Sequence, residues 1–148
     1  MRPILPALCV FFVCGMSGHA ASTVAVPRPF GHLHWEMTRP ELAAVYPGLF
    51  SNPVRGPRLL HFAYAGCRFV VYFQFIDDVL SHIMLTTEAD PAPCRDAVRK
   101  DLHDQFGDPE SVGKVGPYDH TRWWNPKSNA VLEENAEHLS IEFLPSAS

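Results

Sequence analysis

Histidines, cysteines and acids are the residues of this 148-residue chain whose types and spacing could do chemistry. His32-x-His34 would place two imidazoles on one face of an extended segment, and Met37 or Met84 could add a soft sulfur ligand of the kind copper accepts. Protein metal sites use three or four ligands held by outer partners, and no third ligand is recognisable here, so neither a metal nor a cofactor is expected. Asp77-Asp78 are adjacent, and adjacent residues at a strand end point apart, which suits a hairpin turn better than acid–base work. Gly113-Lys114 is followed by Val115 and lacks the upstream glycine of a phosphate loop; Gly-x-Ser-x-Gly and His-Glu-x-x-His are both missing. The chain is therefore read as a non-enzyme, with no catalytic residue.

The cysteines point instead to a compartment. Met1-Arg-Pro is a positive start, Ile4 to Met16 an apolar run, and Ser17-Gly-His-Ala-Ala21 supplies small residues for cleavage after Ala20, so residues 1–20 read as a secretory signal peptide. Cys14 follows Phe12-Val13 where a lipid-attachment site wants a small residue, which favours a soluble periplasmic or secreted protein over a lipidated one. Cleavage leaves 128 of the 148 residues, enough for one compact domain. Only Cys67 and Cys94 remain, and in an oxidising compartment they are expected to pair, closing a loop worth about 3 kcal/mol in the chain-entropy model. Loss of Arg2 takes the formal charge from −4 to −5, and an acidic chain without a basic run argues against nucleic acid and anionic membrane surfaces. No membrane insertion is expected after cleavage.

The elements that must position any site follow from pattern. Residues 21–34 carry two prolines, Pro27 and Pro29, and read as an extended lead-in to a domain spanning 35–148. Thr38 with Glu41 three residues on is a capping box, Met37 and Leu42 stand at the staple positions, and Pro40 falls in the first turn, so a short helix is expected to run to Tyr46 and stop at Pro47-Gly48. A helix that short survives by packing, and Leu42, Val45 and Tyr46 are expected on the sheet. Leu59–Tyr64, Arg68–Ile76 and Val79–Thr87 are runs of β-branched and aromatic residues joined by Ala65-Gly66-Cys67 and Asp77-Asp78, the pattern of a three-stranded meander. Asp90 is placed to cap a second helix starting at Pro91, with Cys94, Val98, Leu102 and Phe106 as its apolar stripe and Gly107 closing it. Glu110 to Asp119 reads as a flexible connection. Thr121–Trp124, Ala130–Glu133 and His138–Leu144 read as three more strands.

Helix and three strands thus occur twice, and Tyr46 precedes Tyr64 by the same 18 residues that separate Phe106 from Trp124. The expected fold is α+β, a two-layer domain with an antiparallel sheet of about six strands and both helices on one face, built as α-β-β-β pseudo-repeats at about 35–88 and 90–145.

Trp35-Glu-Met-Thr-Arg-Pro-Glu-Leu is similar to an aromatic-x-Met-Thr/Ser-x-x-Glu/Gln-Val/Leu opening, and Phe69 to Phe75 with Asp77-Asp78-Val79 is similar to the strand, acidic turn and returning strand that follow it. In this the chain resembles the tandem helix-plus-meander architecture of the β-lactamase inhibitor proteins and of the small lipoprotein subunit of the outer-membrane β-barrel assembly machine. The missing lipid-attachment cysteine departs from the latter, and no functional residue of either family is carried over. The resemblance implies a partner that is another protein of the cell envelope, with the chain acting as an inhibitor or immunity-type antagonist of an envelope enzyme, or as an assembly or chaperone-like factor.

Alternation separates two sheet faces. Phe69, Val71, Phe73 and Phe75 form the core set of their strand, which leaves Tyr72 and Gln74 opposite. By the same count His61, His82 and one of Trp123 and Trp124 face away from the helices; the count does not say which indole, and Arg122 is taken beside them as a further protein-binding candidate. Large amphipathic side chains on an uncovered face suit protein binding, because they bury much area at small entropic cost.

Overall fold

The computed structural model describes residues 24–147; the expected signal peptide, residues 1–20, lies outside them. Two helices, α1 (Arg39–Val45) and α2 (Arg95–Phe106), accompany seven strands: β1 (Arg58–Tyr64), β2 (Cys67–Ile76), β3 (Val79–Thr87), β4 (Ser111–Val115), β5 (Tyr118–Trp124), β6 (Ser128–Glu134) and β7 (Leu139–Pro145). The strands form one open antiparallel sheet in the order β1-β2-β3-β7-β6-β5-β4. The chain is therefore α+β, with seven strands where about six were expected. The additional strand lies in Glu110–Asp119, read above as a flexible connection. Every residue of β4 is exposed, so it has no alternation of apolar and polar side chains, and Gly113 further dilutes its β character.

Local chemistry explains the turns. Ala65-Gly66 (φ 51 and 90) and Asp77-Asp78 (φ 50 and 64) are two-residue hairpins with both central residues left-handed, the geometry that matches strand twist. Gly116, at φ 59 before Pro117, makes a third. Asn125 and Asn135 shape the remaining two turns by accepting backbone N–H groups from Lys127 and Ser128, and from Glu137 and His138, at 2.8–2.9 Å.

The Glu41 carboxylate reaches back to the Thr38 N–H at 2.7 Å and accepts its hydroxyl at 2.8 Å, as expected for α1. Met37 and Leu42 are both buried, and the Tyr46 ring packs 5.8 Å from that of Phe73. Val45, in contrast, is exposed, since a seven-residue helix buries only a narrow stripe. α2 begins at Arg95 rather than Pro91: Asp90 accepts the Ala92 N–H, and a turn in which Cys94 and Arg95 bond back to the Pro91 carbonyl precedes the helix proper. Cys67 and Cys94 form a disulfide, Cα–Cα 5.6 Å, tying the first residue of β2 to the residue before α2.

One buried set runs across the sheet: Phe69, Val71, Phe73, Leu80, Ile83, Leu85, Trp123, Ala130, Leu132, Ile141 and Phe143. Leu42 of α1 and Val98 and Leu102 of α2 belong to it. So do Val26, Phe30, Leu33 and Trp35. The segment read as a lead-in thus contributes to the core. Phe30 stacks on Phe62 at 5.1 Å, and Trp35 donates its indole N–H to Ser128 Oγ at 2.9 Å. Arg99 of α2 is hydrogen-bonded to Glu134 of β6, a carboxylate 3 % exposed, and Asp101 accepts the Tyr64 hydroxyl at 2.5 Å. No helix of the described residues is long and apolar enough to cross a membrane.

Candidate functional site

The side chains that alternate with the buried set form the other face of the sheet, and the register aligns them in rows. One row runs across all seven strands as Arg58, Tyr72, Met84, Glu142, Val131, Arg122 and Ser111. A second pairs Val70, Thr86, Ser140, Glu133, His120 and Gly113. A third joins Gln74 to His82 on one side and Leu144, Asn129 and Trp124 on the other. Most of these residues are half-buried by their neighbours alone, with Gln74, Ser111, Gly113, Arg122 and Trp124 exposed.

Of the residues picked from the sequence, Tyr72, Gln74 and His82 stand together at the β2–β3 end of this face. Gln74 and His82 are directly opposite one another, and His82 Nδ1 lies 2.9 Å from the Ser81 hydroxyl. Arg122 and Trp124 lie on β5. β5 lies four strand spacings from β2 and three from β3, about 19 Å at most, within the width of one ordinary protein interface.

The indole ambiguity resolves by burial. Trp123 is 4 % exposed and gives its N–H to the Gly107 carbonyl at 3.1 Å, whereas Trp124 is 53 % exposed. Trp123 is a core residue, and an indole so placed offers no surface to a partner. His61 stands apart as well. It occupies the register shift between Leu59 and Phe62 on the edge strand, at φ 56, where simple alternation no longer says which face a side chain takes. Its N–H and ring both bind Glu88, at 2.9 and 2.8 Å, and those two hydrogen bonds hold the Glu88 carboxyl below the usual range.

Around Trp124 the face dips into a depression lined by Arg122, Asn129, Val131, Glu142 and Leu144. Asn129 Oδ1 is buried there without a hydrogen-bond partner among the described residues. Met84, Glu142, Val131 and Asn129 were not picked from the sequence. Their alternation was legible, but bringing β7 beside β3, with Met84 opposite Glu142, is a non-local pairing that no short motif announces.

His32 and His34, weighed above as two imidazoles on one face, bond to different partners. His32 Nε2 shares a hydrogen bond with the Tyr46 hydroxyl at 2.8 Å, and His34 Nδ1 donates to the Trp35 carbonyl at 3.0 Å. Asp77-Asp78 form a turn, with Asp78 paired to Arg39 at 3.3 Å. Among the described residues no group of three or more His, Cys, Asp or Glu is arranged to hold a metal. No protein-family model, curated protein or solved structure matches the chain.

Proposed function

We propose that this chain is an exported protein-binding domain, an inhibitor or immunity-type antagonist of an envelope enzyme, and that it binds through the open face of its sheet. The observation that carries the proposal is the face itself. Tyr72, Met84, Val131, Leu144 and Trp124 put aromatic and apolar area on a surface that none of the described elements covers, interleaved with Arg58, Gln74, His82, Arg122 and Glu142. Apolar anchors ringed by polar groups are what protein interfaces use, whereas a merely solvated face needs none. Export is supported by the disulfide, since such bonds persist in oxidising compartments.

The domain is further read as two pseudo-repeats whose helices share the buried face. In support, the helices' buried residues join one core, and the strand order places the last strand of each meander, β3 and β7, side by side. β4 is then an addition to the second unit.

Pull-down from periplasmic extract tests the function. A single stoichiometric enzyme, inhibited on binding and released by Tyr72→Ala with Trp124→Ala, is the expected result. Co-purifying outer-membrane assembly machinery would instead support an assembly factor, and affinity unchanged by the double substitution in a folded protein removes the open face from the proposal.

A further inference from the structure

β7 is the middle strand of the seven, and Glu142 stands at its centre on the open face. The register sets Met84 on one side of it and Val131 on the other, and neither side chain offers a carboxylate a donor. Its diagonal neighbours on β6 are Asn129 and Glu133, an amide and a second acid. Glu133 has His120 4.0 Å away, whereas Glu142 makes no ion pair and no side-chain hydrogen bond among the described residues. A half-buried carboxylate in the middle of the face is therefore served by water alone.

The same register builds a recess beside it. The open-face residues of β6 are Asn129 and Val131, both short, and β7 flanks them with Leu144 and Glu142, β5 with Trp124 and Arg122. Short side chains between longer ones leave a hollow with apolar area at Val131, Leu144 and the Trp124 indole. Its charged lining is two acids, Glu110 and Glu142, against one base, Arg122. Arg122 stands on the far wall, exposed. Along the sheet it is two strand spacings from Glu142, about 9.6 Å, farther than the roughly 8 Å over which exposed charges act in physiological salt.

We propose that the partner bound by the open face anchors in this recess with an arginine, whose guanidinium pairs with Glu142 while its stem lies over Val131 and Leu144 against the Trp124 ring. The inference rests on the open-face proposal and names the chemistry of what that face holds. Arginine fits better than lysine because its planar fork takes both carboxylate oxygens at once. Three N–H groups then remain, and one of them serves Asn129 Oδ1, which has no partner in the free chain, once that amide turns outward. The indole adds its π face to the cation. A second copy of this chain is a poor occupant, because a two-fold running along β7 sets Glu142 on Glu142.

The probe is Nα-acetyl-argininamide, titrated into the isotope-labelled purified chain and followed by amide and indole N–H resonances. A fragment of its size should bind with a midpoint on the order of 1 mM to 10 mM. Saturable shifts should gather at Val131, Glu142 and the Trp124 indole, with the Trp123 indole, bonded to Gly107, unmoved. Glu142→Gln should weaken binding about tenfold or more with the rest of the spectrum unchanged, as loss of a charged hydrogen bond does. The citrulline counterpart, which keeps the stem and loses the charge, should be weaker by about the same factor, and the lysine counterpart should fall between.

No saturable shift at these positions up to about 50 mM overturns the inference. So does affinity unchanged by Glu142→Gln, or a citrulline or lysine counterpart that binds as tightly as the arginine. Each of these results leaves the open face standing, because release of the captured partner by Tyr72→Ala with Trp124→Ala judges it separately. A probe bound at Glu142 beside a partner indifferent to that double substitution removes the open face and this inference with it.

Discussion

The two faces of the sheet share every strand, every turn and one register, and differ only in what lies over them. On one, Leu85, Ile141 and Leu132 meet in a row from which solvent is excluded. One residue along, Met84, Glu142 and Val131 form the neighbouring row on the other face, screened only by each other. Strand propensity is the same for both rows, so it cannot be what makes one a core. Burial does that: only the first row belongs to the one core that also holds Leu42, Val98, Leu102 and Phe30. What remains on the uncovered face is the apolar and aromatic area that a second protein could exclude from water.

Paired substitutions sharpen this contrast. Phe143→Ala removes a fully buried ring and should cost about 4 kcal/mol in denaturant unfolding, while its neighbour Glu142→Ala should change stability by no more than about 0.5 kcal/mol. The adjacent indoles make the same test within one dipeptide. Trp123→Ala should lose about 3 kcal/mol, cavity and Gly107 hydrogen bond together, whereas Trp124→Ala should leave stability nearly untouched and act on partner affinity alone. Equal losses at Trp123 and Trp124 would mean that the second face is covered too.

Replacing both Cys67 and Cys94 with serine opens the cross-link between β2 and the start of α2 and should cost about 3 kcal/mol, read as a lowered unfolding midpoint with the sheet otherwise retained. Smaller effects should come with pH. Glu88, held down first by the His61 N–H, and Glu41, held down first by the Thr38 N–H, contribute stability that is complete near neutrality and is lost as pH falls through their lowered folded-state values. Tyr64 runs the other way. Burial, then the hydrogen bond to Asp101, raises its pKa, so its contribution is complete at neutral pH and declines as pH rises past the ordinary tyrosine range. A fluorescence-detected stability curve across pH should therefore fall at both ends, and His61→Ala should reduce the Glu88 part of the acid-side loss.

Much of the fold was legible because its signals are local. The capping box at Thr38 and Glu41, the meander of β1 to β3 with its two-residue turns, and the stripe Cys94, Val98 and Leu102 each depend on residues a few positions apart, whose side chains meet whatever the rest of the chain does. β4 escaped notice because an exposed edge strand needs no apolar alternation. Residues 24–34 were underrated because irregular segments bury side chains without a period: Val26, Phe30 and Leu33 are as buried as any strand residue.

For the site the division is similar. Alternation by itself put Tyr72, Gln74 and His82 on one face, and the cysteine count and apparent compartment anticipated the Cys67–Cys94 bond. Tertiary structure alone decided that Trp124 rather than Trp123 is exposed, that His61 leaves the row for a bulge, and that Met84, Glu142 and Val131 complete the surface between the two groups. The reason is physical. Alternation gives the parity of each strand separately, but which parity becomes the core depends on the pairing of β3 with β7 and on the elements that cover the sheet, contacts between residues more than fifty positions apart.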